Sequence, residues 1–276
     1  MCQYISFNGI IIYNYSDYWN MRFFMTTNNS SSNASRALDI LLLLGDYGED
    51  GAALADIART LDVAKSAAHR TLMALTEQGF AEPAERYGHY RLGSAIFLLA
   101  QRQQRLTPQI QKLQPGMTEF TKKTGYTTYI IAQSGFDAVC AEMISRSILP
   151  QQQFGIGERM PLGIAAGSVA LMATLPENER DAILQANSER YSQYPAVRHV
   201  DVDVVKQQVD ETIERGYAVN MGYYLPGVGG LGLPLPSPNP FRVNVAISFN
   251  IPLENMKGDI IQHHIDLLKD CLKDEF

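Results

Sequence analysis

Residues 54–80 read LADIARTLDVAKSAAHRTLMALTEQGF, two helical periodicities separated by a short break. Leu54, Ile57, Ala58 and Leu61 fall at i, i+3, i+4 and i+7, one face of a helix. Asp62-Val63 interrupts that spacing. Ala68, Leu72 and Leu75 resume it over 65–78, and Gly79 is the expected stop. Upstream, Ala37–Leu44 is a third helix candidate, with Asn33 or Ser35 as N-cap and Gly45 as its stop. Downstream, Phe80-Ala81-Glu82 and His89–Leu92 flank the turn-forming Pro83–Gly88 as two strands. Three helices and a hairpin within 34–93 form the pattern of a winged helix-turn-helix.

The third helix of that unit divides its faces by chemistry. No acidic residue lies between Asp62 and Glu77, while Lys65, His69 and Arg70 all do. Lys65/His69 and Ser66/Arg70 are successive i, i+4 pairs, so the four share one face opposite Ala68, Leu72 and Leu75. A helix that reads DNA needs this division: apolar residues fix its angle, and donors near its N-terminus meet phosphates and base edges. Arg70 can grip guanine O6 and N7 bidentately, whereas Lys65 and Ser66 suit phosphate. A solvated face on a core helix would carry the same residues. The hairpin weighs against that reading, because Arg86, Tyr87, His89, Tyr90 and Arg91 cluster there against only Glu82 and Glu85. Basic and aromatic side chains on a wing suit backbone or minor-groove contact. At least one of Tyr87 and Tyr90 is expected to pack on the helices instead.

Composition bears on this only once it is divided. The 276 residues carry 23 Lys+Arg against 29 Asp+Glu, a formal net charge of −6, and are 46% hydrophobic. At about 150 residues per domain this length suggests two domains. The overall acidity excludes a protein that coats nucleic acid through bulk positive charge. Along the chain, however, residues 34–93 are net −3, 94–124 net +4 and 125–276 net −7. The acid is therefore concentrated in the C-terminal part.

That part has a different texture. Ser94 to Leu106 is helical, and Thr107-Pro108 opens a further helix to Thr124-Gly125, with Pro115 expected to kink or restart it. Tyr126–Ala132 and Asp137–Ser145 flank Ser134-Gly135 as a hairpin. Gly163–Leu175, Glu177–Ala186, Val202–Arg215 and Gly258–Leu272 read as helices. Tyr217–Asn220, Gly230–Leu235 and Arg242–Asn250 read as strands. Segregated strands and helices of this kind predict an α+β domain with an antiparallel sheet.

Other function classes find little support. The first 25 residues are rich in Asn, Tyr and Ser, with Asp17 and Arg22 as their charges. They have neither the basic start nor the long apolar core of a secretory signal. Met25 leads into TTNNSSSN, so 1–33 is expected to be a disordered or misannotated tail with the native start near Met25. No run reaches the 18 or more apolar residues of a membrane span, and a cytoplasmic protein without membrane contact is expected. Cys2, Cys140 and Cys271 form no paired framework, and the adjacent His263 and His264 point about 100° apart on a helix. No metal site and no cofactor is therefore expected. Gly227-x-Gly229-x-x-Gly232 matches a dinucleotide pattern, but Pro234, Pro236, Pro238 and Pro240 forbid the helix it needs. Gly167-Ser168 lacks the G-x-S-x-G elbow.

The motifs ASRALDIL (34–41), LADIARTLDVAKSAAHRTLMALTEQGF (54–80) and HYRLG (89–93) resemble the DNA-binding domain of IclR-type bacterial transcriptional regulators. LQPGMTEFTKKTGYT (113–127), GERMPLGIAAGSVALMATLPENE (157–179), GYAVNMGYYLPGVGGLGLPL (216–235) and VAISFNIP (245–252) resemble that family's effector-binding domain. The resemblance implies a winged helix-turn-helix at 34–93, a linker helix at 94–106 and a GAF/PAS-like α+β effector-binding domain at 107–276. It also implies dimers, often paired into tetramers, on a pseudo-palindromic double-stranded operator. DNA contact is then expected at Arg36, Lys65, Ser66, Ala67, His69, Arg70, Arg86, Tyr87, His89 and Arg91. Effector-lining positions would be Ala166, Gly167, Asn220, Val228, Gly230, Ser248 and Asn250.

This chain departs from the family pattern in several places. Asp62 stands where the family usually has Gly, and Asp tolerates left-handed backbone better than most residues. Ala67 replaces a Thr, leaving a methyl contact in place of a hydrogen bond. The family's His-Ala-Thr-Ala-x-Gly-Lys-Ala is here Gly163 to Ala170, GIAAGSVA. Asn220 replaces Asp, and Gly230 replaces a frequent Cys, which should enlarge the pocket. Small residues at Ala166–Gly167, with donors on Asn220, Ser248 and Asn250, favour a small organic acid, lactone or aldehyde as effector. Expected overall is a ligand-responsive regulator, in the family's commoner mode a repressor, of a catabolic operon. Two rivals are a constitutive DNA-binding oligomer with a degenerate pocket and an enzyme fused to a DNA-binding module. The second has no acid/base pair or nucleophile set to support it.

Overall fold

The computed structural model describes residues 33–102, 106–146, 154–194, 196, 198–235 and 243–273. Before them it describes the backbone of two short antiparallel strands, β1 (Ile5–Phe7) and β2 (Ile10–Ile12). Apart from these strands and Asn33, the expected tail at 1–33 lies outside the described residues. Contacts divide the chain into two compact units, Met1–Gln104 and Arg105–Phe276.

The first unit contains helices α1 (Asn33–Tyr47), α2 (Leu54–Thr60), α3 (Lys65–Glu77) and α4 (Ser94–Arg102). Its small antiparallel sheet has the order β3 (Ala52–Ala53), β5 (His89–Leu92), β4 (Ala81–Pro83). Ile40, Leu43 and Leu44 of α1, Ile57 and Ala58 of α2, and Ala68, Leu72 and Leu75 of α3 form one core. Each fully buried Leu or Ile contributes about 1.5–3 kcal/mol, which is what holds three short helices together. Gly45 does not end α1, contrary to expectation. It stays helical, and the left-handed step falls at Gly48 (φ +60°). Gly79 (φ +74°) follows α3 as expected.

The second unit is a six-stranded antiparallel sheet in the order β8-β7-β6-β11-β10-β9. The strands are β6 (Thr128–Ser134), β7 (Asp137–Ile144), β8 (Arg159–Pro161), β9 (Ala218–Leu225), β10 (Val228–Leu235) and β11 (Val245–Pro252). One face packs on α5 (Thr107–Thr124) and α9 (Gly258–Cys271), the other on α6 (Ala166–Met172), α7 (Glu177–Gln193) and α8 (Val202–Arg215). The period-2 alternation of β6 serves both cores: Ile130 and Ala132 face α5 and α9, Tyr129 and Ile131 face α6. On the first side Phe120 and Phe249 pack with ring centroids 4.7 Å apart.

Three expectations change here. α5 runs through Pro115 as one helix, and Gly116 beside it lets α9 approach, since a Cβ there would stand 2.5 Å from the Cys271 carbonyl oxygen. The helix expected from Gly163 begins only at Ala166, because Gly163 takes φ +105° and Ala165 is extended (φ −114°, ψ 161°). α7 continues past Ala186 to Gln193, its polar stretch held by the buried Asn187 and Tyr191. Among the described residues no helix is long and apolar enough to cross a membrane.

Candidate functional site

The first unit presents its charged face on α3. Val63 N–H donates to Ala58 O (3.0 Å) to close the turn after α2, and Asp62 takes φ +50°, among the described residues the one non-glycine with positive φ. α3 then begins after Ala64 with no capping side chain, so its first amides are left for solvent or an anion. Ala68, Thr71, Leu72 and Leu75 are buried, while Lys65, Ser66, His69 and Arg70 are exposed and Ala67 is half-buried. The wing is mixed. Arg86 and Tyr87 are exposed, Tyr87 completely. Tyr90 packs against the core, and His89 turns its Nδ1 toward the Gly51 carbonyl oxygen at 3.2 Å. Arg91 Nε donates to Glu82 Oε1 at 2.9 Å across the hairpin. Arg36 is half-buried and donates to Asn33 Oδ1 at 2.9 Å.

In the second unit, Ala166, Asn220, Val228, Gly230 and Asn250 line one cavity together with Ala165, Tyr224, Leu225 and Gly229. Strand register makes the cluster: Gly230 pairs with Asn220 on one side and Asn250 on the other. Gly167 and Ser248 adjoin it differently. A Cβ at Gly167 would sit 2.6 Å from Ser248 Oγ and 2.6 Å from Ile131 Cγ1, so this glycine seats α6 on the sheet. Gly230 does not enlarge the space as expected, because a Cβ there would already be 3.1 Å from Ala166 Cβ. The cavity holds about 20 Å³, room for little more than a single water.

Most polar atoms around it are engaged. Asn220 is 3% exposed. Its Nδ2 donates to Ile164 O (3.0 Å), and its Oδ1 accepts from Tyr223 N–H (2.9 Å). Ser168 Oγ accepts from Gly163 and Ala165 N–H and donates to Ala165 O, fixing the turn into α6. Asn250 Nδ2 donates to the Tyr129 hydroxyl at 3.2 Å. Burial raises the Tyr129 phenol far above its usual range, so it stays protonated, and burial also pushes the Cys140 thiol up to about 12.

The IclR helix-turn-helix domain matches residues 34–85, and the bacterial transcriptional regulator IclR C-terminal domain matches residues 106–274. The chain belongs to the IclR family of bacterial transcriptional regulators. It is 27% identical over 218 residues to the HTH-type transcriptional regulator XynR of Escherichia coli (strain K12), covering 78% of this chain and 84% of that protein. It is 22% identical over 212 residues to the transcriptional repressor IclR of the same organism, covering 75% of each. Among solved structures, an IclR homolog from Microbacterium hydrocarbonoxydans, complexed with 4-hydroxybenzoate, aligns with TM-score 0.68 and 20% identity. That alignment covers 88% of this chain and 98% of the homolog. A regulator from Alicyclobacillus acidocaldarius aligns with the same TM-score and identity, over 88% and 97%.

IclR-family membership makes this chain a DNA-binding transcriptional regulator with a C-terminal effector domain, and sets the fused-enzyme reading aside. Sequence reasoning missed Tyr129 and Tyr224. Tyr129 sits on the core face of β6, and Tyr224 lies in β9 beyond the expected strand Tyr217–Asn220, so only cross-strand register brings them to Asn250 and Gly230. No spacing signal could have found them.

Proposed function

We propose that this IclR-family protein is an effector-responsive repressor of a catabolic operon. In this reading it binds its pseudo-palindromic operator as a dimer or dimer of dimers in the cytoplasm, through Lys65, Ser66, His69 and Arg70. The observation that carries the reading is the division of α3: four exposed polar residues on one face, and Ala68, Leu72 and Leu75 buried on the other. Arg70 reads guanine, Lys65 and Ser66 hold phosphate at the uncapped helix start, and Arg86 and Tyr87 reach the backbone from the wing. Ala67, Arg36, His89 and Arg91 are secondary contacts, the last three already engaged within the unit.

The effector is a small organic acid or carbonyl compound held between Ala166, Asn220, Val228, Gly230 and Asn250. The ligand carried by the Microbacterium homolog, a hydroxylated benzoate, is of this chemical class. A cavity of about 20 Å³ cannot admit it, so binding requires its lining residues to move apart. In this reading the opened state also has a lower affinity for DNA, and a ligand that binds only that state is coupled to DNA affinity by about 1–3 kcal/mol, as in ordinary allosteric proteins. Gel shifts on the DNA upstream of the gene and its neighbours test this. A shifted band weakened by a small carboxylate is expected. A band indifferent to every acid tried would favour the constitutive oligomer, and no band at all would overturn the reading.

A further inference from the structure

The walls of the cavity are not equally fixed. β10 pairs with β11 at every position from Val228 to Leu235, which holds Gly229, Gly230 and Asn250 in the ladder. On the wall formed by α6 every residue of the helix is buried, and a Cβ at Gly167 would meet Ile131 and Ser248 at 2.6 Å. β9 is different. It is an edge strand, and its pairing with β10 passes directly from Leu225 opposite Val228 to Asn220 opposite Gly230. Met221–Tyr224 therefore stand against Gly229 alone, as a bulge in which Gly222 takes φ +76°.

The inner tie of that bulge is a buried side chain. Asn220 is 3% exposed; its Oδ1 accepts from Tyr223 N–H at 2.9 Å, and its Nδ2 donates to Ile164 O at 3.0 Å. A backbone N–H can only donate and a carbonyl can only accept, so the two partners fix which way the amide is turned. Asn220 thus joins the bulge to the turn that leads into α6, at the corner where Ala165, Ala166 and Tyr224 line the cavity. The Asp usual in the family, as a carboxylate, could accept from Tyr223 but could not donate to Ile164. The outer tie is lighter. Tyr223 O accepts from Arg198 N–H at 3.3 Å, and the exposed Arg198 guanidinium lies 5.3 Å over the Tyr223 ring.

We infer that Met221–Tyr224 is the gate of the effector cavity and that Asn220 is its latch, a positioning residue that keeps the cavity shut. The inference rests on the effector-cavity reading above and deepens it by naming the wall that moves. An edge-strand bulge can swing out without breaking the β10–β11 ladder or lifting α6, so this movement disrupts least. It carries Tyr224 with it and opens the corner beside Ala166.

The test uses full-length protein carrying Ala166→Cys, a thiol at a cavity-lining position that is 3% exposed as alanine. Labelling by iodoacetamide is followed peptide by peptide, so that the native cysteines are read apart, and amide hydrogen exchange is recorded alongside. Asn220→Leu keeps a similar volume and removes both bonds. It is expected to speed labelling at position 166 and exchange over 221–225 by roughly 10- to 100-fold, the range for two ordinary hydrogen bonds, with exchange in α6 unchanged. Faster exchange over 221–225 with labelling unchanged would overturn the inference, because the bulge would then fray without opening the cavity. Equal acceleration in α6 would also overturn it, making Asn220 a support of the whole fold. Should Asn220→Leu not fold, Arg198→Ala decides: a rise of about two- to fivefold in both readouts is expected, and no rise overturns the gate. The gel shifts described above judge the effector reading separately, since labelling and exchange are measured without any effector.

Discussion

The face of α3 and the cavity of the sheet both carry polar side chains, but those side chains are in opposite conditions. On α3, Lys65, Ser66, His69 and Arg70 stand in water on a helix whose other face is anchored by Ala68, Leu72 and Leu75. In the cavity, Asn220 engages its amide with Ile164 and Tyr223, and beside it the Ser168 hydroxyl is engaged in the turn into α6. A surface that meets a rigid polyanion needs donors already outside and loses little water to use them. A pocket for a small molecule must stay satisfied while empty, so it closes on its own side chains. On the proposed assignment, the α3 face is built to bind as it stands, and the pocket must first be opened.

The largest effect that could break this contrast lies under the pocket. A Cβ at Gly232 would fall 2.4 Å from the Ala166 carbonyl oxygen, a backbone atom that cannot turn aside. Gly232→Val should destabilise the effector unit by about 3 kcal/mol or more, read by denaturant unfolding. A variant of unchanged stability would mean that α6 is free to lift from the sheet, and that the pocket is not shut by packing. Next in size is Arg70→Ala, expected to weaken operator binding by about 1–3 kcal/mol in a gel shift while leaving effector titrations unmoved. Unchanged operator affinity would remove the base contact from Arg70.

The turn between α2 and α3 comes third. Asp62 holds φ +50°, a conformation in which β-branched residues are strained by about 1–2 kcal/mol. Asp62→Val should lower the melting temperature of the DNA-binding unit accordingly, and Asp62→Gly should not. If both variants melt alike, the turn has relaxed and the seat of α3 is looser than its buried face implies.

The two regions were unequally legible in the sequence for the same physical reason. Local signals define the first unit: i, i+4 spacing along α3, the break at Asp62-Val63, and Gly79 as a stop. These survive because neighbours in the chain are neighbours in space. The cavity is assembled from α6, β9, β10 and β11, and only register decides which residues meet. Resemblance nominated Asn220, Gly230 and Asn250, yet it could not say that Gly167 is a packing contact with Ser248 and Ile131. Nor could it show that Ala166 fills the room a missing Cys side chain would leave. Even within the first unit, the stop moved from Gly45 to Gly48, because glycine permits a helix end without dictating one.

The wing offers the smallest effect and the finest test of free against committed donors. Arg86 is exposed, whereas Arg91 lies 2.9 Å from Glu82 in a partly exposed pair. To reach a phosphate, Arg91 must first leave Glu82, and exposed pairs of this kind are worth about 0.2–1 kcal/mol. What Arg91 gains from DNA it therefore largely returns. The log–log slope of operator affinity against salt counts the phosphates a protein neutralises, so it separates the two residues. Arg86→Ala should reduce the slope by about one, and Arg91→Ala should leave it nearly unchanged. Glu82→Gln supplies the converse, since releasing Arg91 should steepen the slope. A full unit lost in Arg91→Ala would show that the ion pair opens on DNA, and a donor committed in the free protein would then be as available as one standing in water.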